Sequence, residues 1–304
     1  MKKGLLLGLI MIAAPEFLLA AELIEFADSQ VKALCVAKWD SDGDGELSVE
    51  EAATVTSLGG VFCNQKTITT FDELQHFIGL TSIDDYAFSQ SSIVHVTLPP
   101  TVTYIGKHAF SASSIGSSFR VPGTVKEIGD YAFYDCEQLT SVVLEEGVET
   151  VGWHTFSGPI ATLILPSSLK FMYSMAVNPY VNAAPSAGIF IPKGNLTVVA
   201  LSSTPAPIND YAFYYVFTEG HLIVPMGTLD AYKSEKAWSH FRDYIEVGDV
   251  NRDGRLDITD VTLLIAYIQG REHTEIEARI ADVNGDGVLD GEDVSQLCQY
   301  LLGS

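Results

Sequence analysis

Apolar residues along this chain recur as a phrase. Ile128-Gly129-Asp130-Tyr131-Ala132-Phe133 is repeated as Ile83-Asp84-Asp85-Tyr86-Ala87-Phe88 and as Ile105-Gly106-Lys107-His108-Ala109-Phe110. Val151-Gly152-Trp153-His154-Thr155-Phe156 is a further copy, 172–177 a worn one and Ile208-Asn209-Asp210-Tyr211-Ala212-Phe213 a clear one. The closing aromatics Phe88, Phe110, Phe133 and Phe156 stand 22, 23 and 23 residues apart. A period in the twenties marks units that cannot bury an apolar face alone and stack on their neighbours. A second phrase, a β-like run closed by proline, lies between the copies: Val96-Thr97-Leu98-Pro99, Phe119-Arg120-Val121-Pro122, Leu163-Ile164-Leu165-Pro166, Ile189-Phe190-Ile191-Pro192 and Leu222-Ile223-Val224-Pro225. Val142-Val143-Leu144-Glu145 keeps the run without the proline. Proline donates no backbone hydrogen bond and sits where a strand stops. The pattern predicts an α/β repeat, with one strand and one turn-rich or helical half per unit and a parallel sheet along one side.

These residues resemble the BspA-like leucine-rich repeats of bacterial surface proteins, which implies a leucine-rich-repeat solenoid over 79–246. The segment 178–207 breaks the period and is read as an insertion. Tyr232, Trp238, Phe241 and Ile245 follow as a capping helix, which a solenoid needs to close its end.

Aligning the strands on their last residue turns Val96/Leu98, Phe119/Val121, Val142/Leu144, Leu163/Leu165, Ile189/Ile191 and Leu222/Val224 inward. One outward column is then His95, Ser118, Ser141, Thr162, Gly188 and His221. The other is Thr97, Arg120, Val143, Ile164, Phe190 and Ile223, and it turns apolar towards its C-terminal half. An exposed apolar strip marks an interaction surface. Val143, Ile164, Phe190 and Ile223 are therefore candidate partner-binding residues for an unknown protein or glycan. The alternative is that 178–207 or the capping segment folds over the strip and makes it core.

Three acidic stretches carry the candidate chemistry. The first is Asp40-Ser41-Asp42-Gly43-Asp44-Gly45-Glu46-Leu47-Ser48-Val49-Glu50-Glu51, preceded by a helix-like run with Val31, Leu34, Cys35 and Trp39 on one face. It follows the EF-hand loop position by position: Asp40, Asp42 and Asp44 offer carboxylates, and Gly45 allows the sharp turn. Glu46 offers its carbonyl, Ser48 acts through water, and Glu51 chelates with both oxygens. A hard cation needs six to eight oxygens converging on one point, and this spacing delivers them. The expected ion is Ca2+, in a helical module spanning 22–78. Thr70-Phe71-Asp72-Glu73-Leu74 then reads as a capped helix.

The other two loops lie in 247–304. One offers Asp249, Asn251, Asp253, Arg255 through its carbonyl, Asp257 and Asp260; the other offers Asp282, Asn284, Asp286, Val288 through its carbonyl, Asp290 and Asp293. Each precedes a helix with matching apolar positions, Val261, Leu264, Ile265 and Ile268, then Val294, Leu297, Cys298 and Leu301, a stripe that packs two helices together. Aspartate stands at position twelve and the entering helix is missing. Both features resemble the type I dockerin, a duplicated calcium module that binds cohesin domains in extracellular assemblies. In dockerins, loop positions ten and eleven help select the cohesin. Here they are Ile258-Thr259 and Gly291-Glu292, which differ, and the difference weighs against two equivalent binding orientations.

A net charge of −22 argues against nucleic acid, whose phosphates need a basic face. Met1-Lys2-Lys3 followed by an apolar run to Ala20-Ala21 is read as a signal peptide over 1–21, which implies a secreted or cell-surface protein. Pro15 and Glu16 interrupt that run, so no membrane span is expected in the mature chain. Of the four cysteines, Cys35 and Cys63 flank the first loop, where export and position suggest a disulfide that would clip the module together, though sequence does not choose among pairings. Cys136 and Cys298 are read as buried small hydrophobes. No nucleophile elbow, zinc-binding helix or phosphate-cradling glycine loop is present, so catalysis is not expected. Two function classes follow: a binding or adhesion protein using the repeat sheet, or a component docked to a cohesin-bearing scaffold, with polysaccharide degradation as the setting.

Overall fold

Each repeat places two short parallel strands on two separate ladders. The structure is a computed structural model and describes residues 21–184, 189–192, 196–213, 220–271, 273 and 275–303, with the side chains of 180–184, 189–192, 275 and 276 left aside. The signal-peptide expectation therefore lies outside the described residues.

The N-terminal module is the first cap of the solenoid. Helix α1, Ser29–Trp39, starts at Asp28, whose carboxylate accepts from the amides of Gln30 and Val31. Burial alone would raise the Asp28 carboxyl, but hydrogen bonds from Thr69, Gln30 and Val31 outweigh it and hold it below its ordinary value. Helix α2, Val49–Thr54, leaves the first acidic loop. One apolar core runs from Ile24 to Phe241 without a break at residue 79. Thr70–Phe71 already pairs in parallel with His95–Val96. The expected capped helix there is a strand turning into a 3-10 helix, Asp72–His76, with no side-chain cap. Chain order explains this: Phe71 must lie in the sheet layer, fully buried, to cover the first repeat.

The wider sheet holds β1 Ser118–Val121, β2 Ser141–Leu144, β3 Thr162–Leu165, β4 Thr197–Ala200, β5 His221–Val224 and β6 Asp243–Glu246, side by side in chain order. All neighbours are parallel. A second parallel ladder is built from two-residue strands, Ser82–Ile83, Tyr104–Ile105, Glu127–Ile128, Thr150–Val151 and Phe171–Met172. These are the first residues of the recurring phrase or lie just before it, so the turn-rich half carries a ladder of its own. Between the sheets Phe88, Phe110, Phe133 and Phe156 stack with centroids 5.2, 5.1 and 5.6 Å apart. Each is at most 1% exposed, and such burial contributes about 1.5–3 kcal/mol per ring.

The rest of the phrase has equally local causes. Tyr86, His108, Tyr131 and His154 take left-handed φ of 63°, 54°, 58° and 52°. That turn aims each of the first three amides at the next repeat, on Lys107, Asp130 and Trp153 carbonyls. It also stacks the four side chains as an outer ladder. A Cβ on Gly106 would lie 2.6 Å from the Asp85 amide nitrogen, and one on Gly152 2.6 Å from that of Asp130. Glycine stands there because the preceding repeat is too close for a side chain.

Two sequence expectations are corrected, one in the fifth unit and one in the last. Ile189–Pro192 is no repeat strand: it pairs antiparallel with Val177–Ala184, which itself pairs in parallel with Phe156–Gly158. Its place in the wide sheet is taken by β4, with Val199 opposite Ile164 and Ile223. The capping segment is also not one helix. Tyr232 lies in α3, Leu229–Ser234, Trp238 in a single 3-10 turn, and Ile245 in β6, which adds a last strand to the sheet. Tyr232 and Trp238 tie this cap back to the insertion, donating to the carbonyls of Ser202 and Ala206 at 2.8 and 2.9 Å.

The tail follows as α4 Ile258–Ile268, α5 Glu275–Ala281 and α6 Gly291–Leu302. Its core joins Val250, Val261, Leu264, Tyr267, Ala281 and Leu297. The expected helix stripe is corrected at Ile265, which is 39% exposed, while Tyr267 takes the inner place. The first loop is entered from β6 with no helix, the second from the seven-residue α5. Among the described residues no helix is long and apolar enough to cross a membrane.

Candidate calcium loops and the repeat face

The three acidic loops share one hydrogen-bond scheme. The carboxylate at position one folds back on the glycine at position six: Gly45 donates to Asp40, Gly254 to Asp249 and Gly287 to Asp282, at 2.9, 3.0 and 2.9 Å. These glycines take φ of 86°, 80° and 84°, a left-handed bend that a side chain would strain. Position three accepts from the amide of position five: Asp44 to Asp42, Asp253 to Asn251 and Asp286 to Asn284.

Position nine is also the N-cap of the following helix, and position twelve is its third residue. Ser48/Glu51, Asp257/Asp260 and Asp290/Asp293 each form a capping box. The last ligand position is thus fixed by the helix before any cation arrives. Glu51 receives the Ser41 amide on one oxygen and the Ser48 amide on the other, at 2.7 and 2.9 Å. Backbone hydrogen bonds from Ser48 and Ser41, in that order, hold its carboxyl down at about 2. Asp260 and Asp293 are fully buried and Glu51 only partly, so the shorter aspartate draws position twelve into the tail's core.

The oxygens of Asp40, Asp42 and Asp44 lie within 4.8 Å of one another. Hard oxygen donors with no soft ligand, gathered on bends that only glycine takes easily, fit Ca2+ at all three loops. Glu46, Arg255 and Val288 stand at position seven, where the backbone carbonyl is the ligand. The Glu46 side chain turns away to Lys32, 2.5 Å off. Leu47, at position eight, is fully buried, and its carbonyl accepts the Ile24 amide at 2.9 Å, so the first loop is clipped to the chain's own leading residues. Burial pushes the Asp249 and Asp282 carboxyls up, with neighbouring carboxylates adding to it and backbone hydrogen bonds opposing.

The proposed partner strip is not an open face. Ile164 is 8% exposed and Ile223 fully buried, in one cluster with Val199, Ile245 and the tail's Ile280. Val143 is half-buried at its margin, and the side chain of Phe190 lies outside the described residues. Neither the insertion nor the capping segment provides the Ile280 that seals the strip: α5 does. The outer column at the other end of the sheet is polar and open. A groove of about 450 Å³ lies between His95–Val96 and β1, lined by His95, Thr97, Ser118, Arg120 and Glu145 among others. His95 and Thr97 both reach the Asp72 carboxylate at 2.6 Å. Sequence reasoning missed β4 because it lacks the closing proline, yet Val198 lies 24 residues before Leu222, in register with the period, and Ile189 lies 33 before it. All four cysteines are free.

Residues 60–179 match the BspA type Leucine rich repeat region, in 6 copies, and residues 247–302 match the Dockerin type I domain. A leucine rich cell surface protein from Faecalibacterium prausnitzii A2-165 is similar at 17% identity, over 62% of this chain and 65% of that one, with a TM-score of 0.23. This chain spans less than two thirds of that protein's length. No curated protein matches the chain. The chain carries a BspA-type leucine rich repeat region and, C-terminal to it, a type I dockerin domain.

Proposed function

We propose that this is an exported, non-catalytic protein that docks to a cohesin through its calcium-loaded tail and presents its repeats to a protein or glycan. The observation carrying this is the division of labour on the molecule. In the tail, Ile258 at loop position ten is 68% exposed and Ile265, on the same helix, 39% exposed. Large apolar side chains on a small acidic module are the kind that an interface buries. Gly291 and Glu292 offer no such side chain in the second half, which supports a single docking orientation led by α4. In the repeats, the polar column at His95, Thr97, Ser118 and Arg120 stays open and is the surface left for a ligand.

A pull-down with recombinant cohesins tests the docking arm. The full chain should be retained in calcium and released by chelation, and Ile258→Asp should abolish retention while leaving the repeats folded. Retention unaffected by Ile258→Asp would count against α4. The ligand arm is tested separately on glycan and matrix-protein arrays, where Arg120→Glu should remove any signal that the tail-deleted chain retains.

A further inference from the structure

Ile280 joins the tail to the sheet. It is fully buried, and its cluster is made of Ile164, Val199, Ile223 and Ile245, one residue from each of four adjacent strands. Its backbone is fixed as well: the Gly248 amide donates to the Ile280 carbonyl at 2.8 Å. Gly248 immediately precedes Asp249, the first residue of one calcium loop, and Ile280 lies two residues before Asp282, the first residue of the other. The contact therefore sits at the mouths of both loops.

The packing around that point is close. A Cβ on Gly248 would meet Leu297 and Leu256 at 3.1 and 3.2 Å, and one on Gly227 would meet Tyr300 at 3.1 Å. Met226, from the last turn of the solenoid, packs against the tail's core. Yet α5 has seven residues, and an isolated helix of that length is not stable in water. It is held by Ile280 on the sheet, by Ala281 in the tail's core, by the Gly248 amide just before the first loop and by the second loop, which follows it directly. Without a cation, the charges of Asp253 and Asp260 act on Asp249, and those of Asp286 and Asp293 on Asp282, and this repulsion opposes the hydrogen bonds that close each loop.

We propose that the tail is a calcium-dependent latch on the repeat sheet. With both loops loaded, α5 holds Ile280 on the strip; with the loops emptied, α5 leaves and Ile164, Val199, Ile223 and Ile245 are bared. The latch rests on the reading that the tail loops bind calcium. It makes the exposed apolar area of the last repeats a function of calcium, and couples the docking module to the ligand-bearing one.

Hydrogen exchange on the full chain, in calcium and in chelator, tests it, with calorimetry counting the ions bound. Chelation should remove protection from α5 and from the edge strand β6, leave β1 protected, and raise the fluorescence of an apolar dye. In calcium, Ile280→Ala should show the same loss at β6 and the same dye signal while ion uptake stays as in the parent. Ile280→Asp should enlarge both effects. Calcium uptake with α5 and β6 equally protected in chelator would overturn the latch and leave the loops as calcium sites. Absence of calcium uptake would overturn both. An Ile280→Ala chain that keeps β6 protected and dye-silent would also overturn the latch, because Ile280 would then not be what covers the strip.

Discussion

Phe62 stacks on Phe88 with ring centroids 5.3 Å apart and planes 17° from parallel. The first ring belongs to the module that follows the EF-hand-like loop, the second to the first repeat. The phenylalanine spine of the solenoid thus begins one step before the first clear copy of the phrase, at the start of the matched repeat region, where it meets the N-terminal module. Phe62 also lies 4.9 Å from Phe71. Phe62→Ala should cost about 3–5 kcal/mol, the usual range for a buried phenylalanine. Unfolding of the N-terminal module and the repeats should remain a single transition at a lower midpoint. Two separated transitions in the calorimetric scan would show that the module is independent.

The outer ladder gives a pH dependence. His108 lies between Tyr86 and Tyr131, 4.8 and 4.7 Å from their centroids, and His154 stacks on Tyr131 at 5.3 Å. Burial pushes both imidazoles below the ordinary value of 6.5, against opposing pulls from Asp85 and Asp130 at His108. In the window below 6.5 the unfolded chain then binds more protons than the folded one, so stability rises with pH there. The contribution is whole above that value and is lost as the pH falls through the lower folded ones. Tyrosine already occupies this left-handed site at Tyr86 and Tyr131, so His108→Tyr/His154→Tyr should fold and flatten the slope. Melting temperatures from neutral pH down to 5, parent against variant, check it, and parallel slopes would exclude the ladder as the cause.

Calcium should act at both ends of the chain. Each loop that binds only the folded state adds about 2.7 kcal/mol at a hundredfold excess over its dissociation constant. Glu51→Gln keeps one acceptor oxygen for the capping box, gives up the acceptor for the Ser41 amide and removes a charged ligand; Asp293→Asn likewise gives up one of its two acceptor oxygens in the tail. Each should remove one equivalent in titration calorimetry and lower the melting temperature clearly more in calcium than in chelator, where only the lost hydrogen bond tells. An equal loss in both conditions would mean that the residue acts through its cap alone.

Much of this was legible because the repeats are quasi-one-dimensional. A phenylalanine every 22 or 23 residues must stack on its own copies, and a loop with acids at fixed offsets must gather them. What was hidden depended on contacts between distant segments. Ile164 and Ile223 have the alternation of a sheet whose outer face is open; among the described residues, Ile280, more than fifty residues on, packs on them with Val199 and Ile245 and makes them core. Ile189-Phe190-Ile191-Pro192 has every local mark of a repeat strand, and β4 displaces it because a solenoid rung is chosen by register with its neighbours. Proline marks where a strand can stop, and does not decide which sheet it joins.

The cysteines offer a last test, because their surroundings differ sharply. Cys136 is 1% exposed and donates to the Phe110 carbonyl at 3.1 Å, and burial pushes its thiol up to about 12. Cys35 is fully buried in the first cap, where burial and then the nearby Glu73 carboxylate raise its thiol further. The thiolate is the reacting species, so both should be silent. Cys63 and Cys298 are only half-buried. Cys35 and Cys63 are both free thiols in this structure, with Cys35 on the buried face of α1 beside Val31. An aromatic disulfide reagent should therefore titrate two thiols in the native protein, Cys63 and Cys298, and all four after denaturation. Peptide mapping without reductant should recover Cys35 and Cys63 on separate fragments. Recovery of both on one fragment would show a cross-link between them, and Cys35→Ala should then lower the melting temperature far more than the loss of one small buried side chain explains.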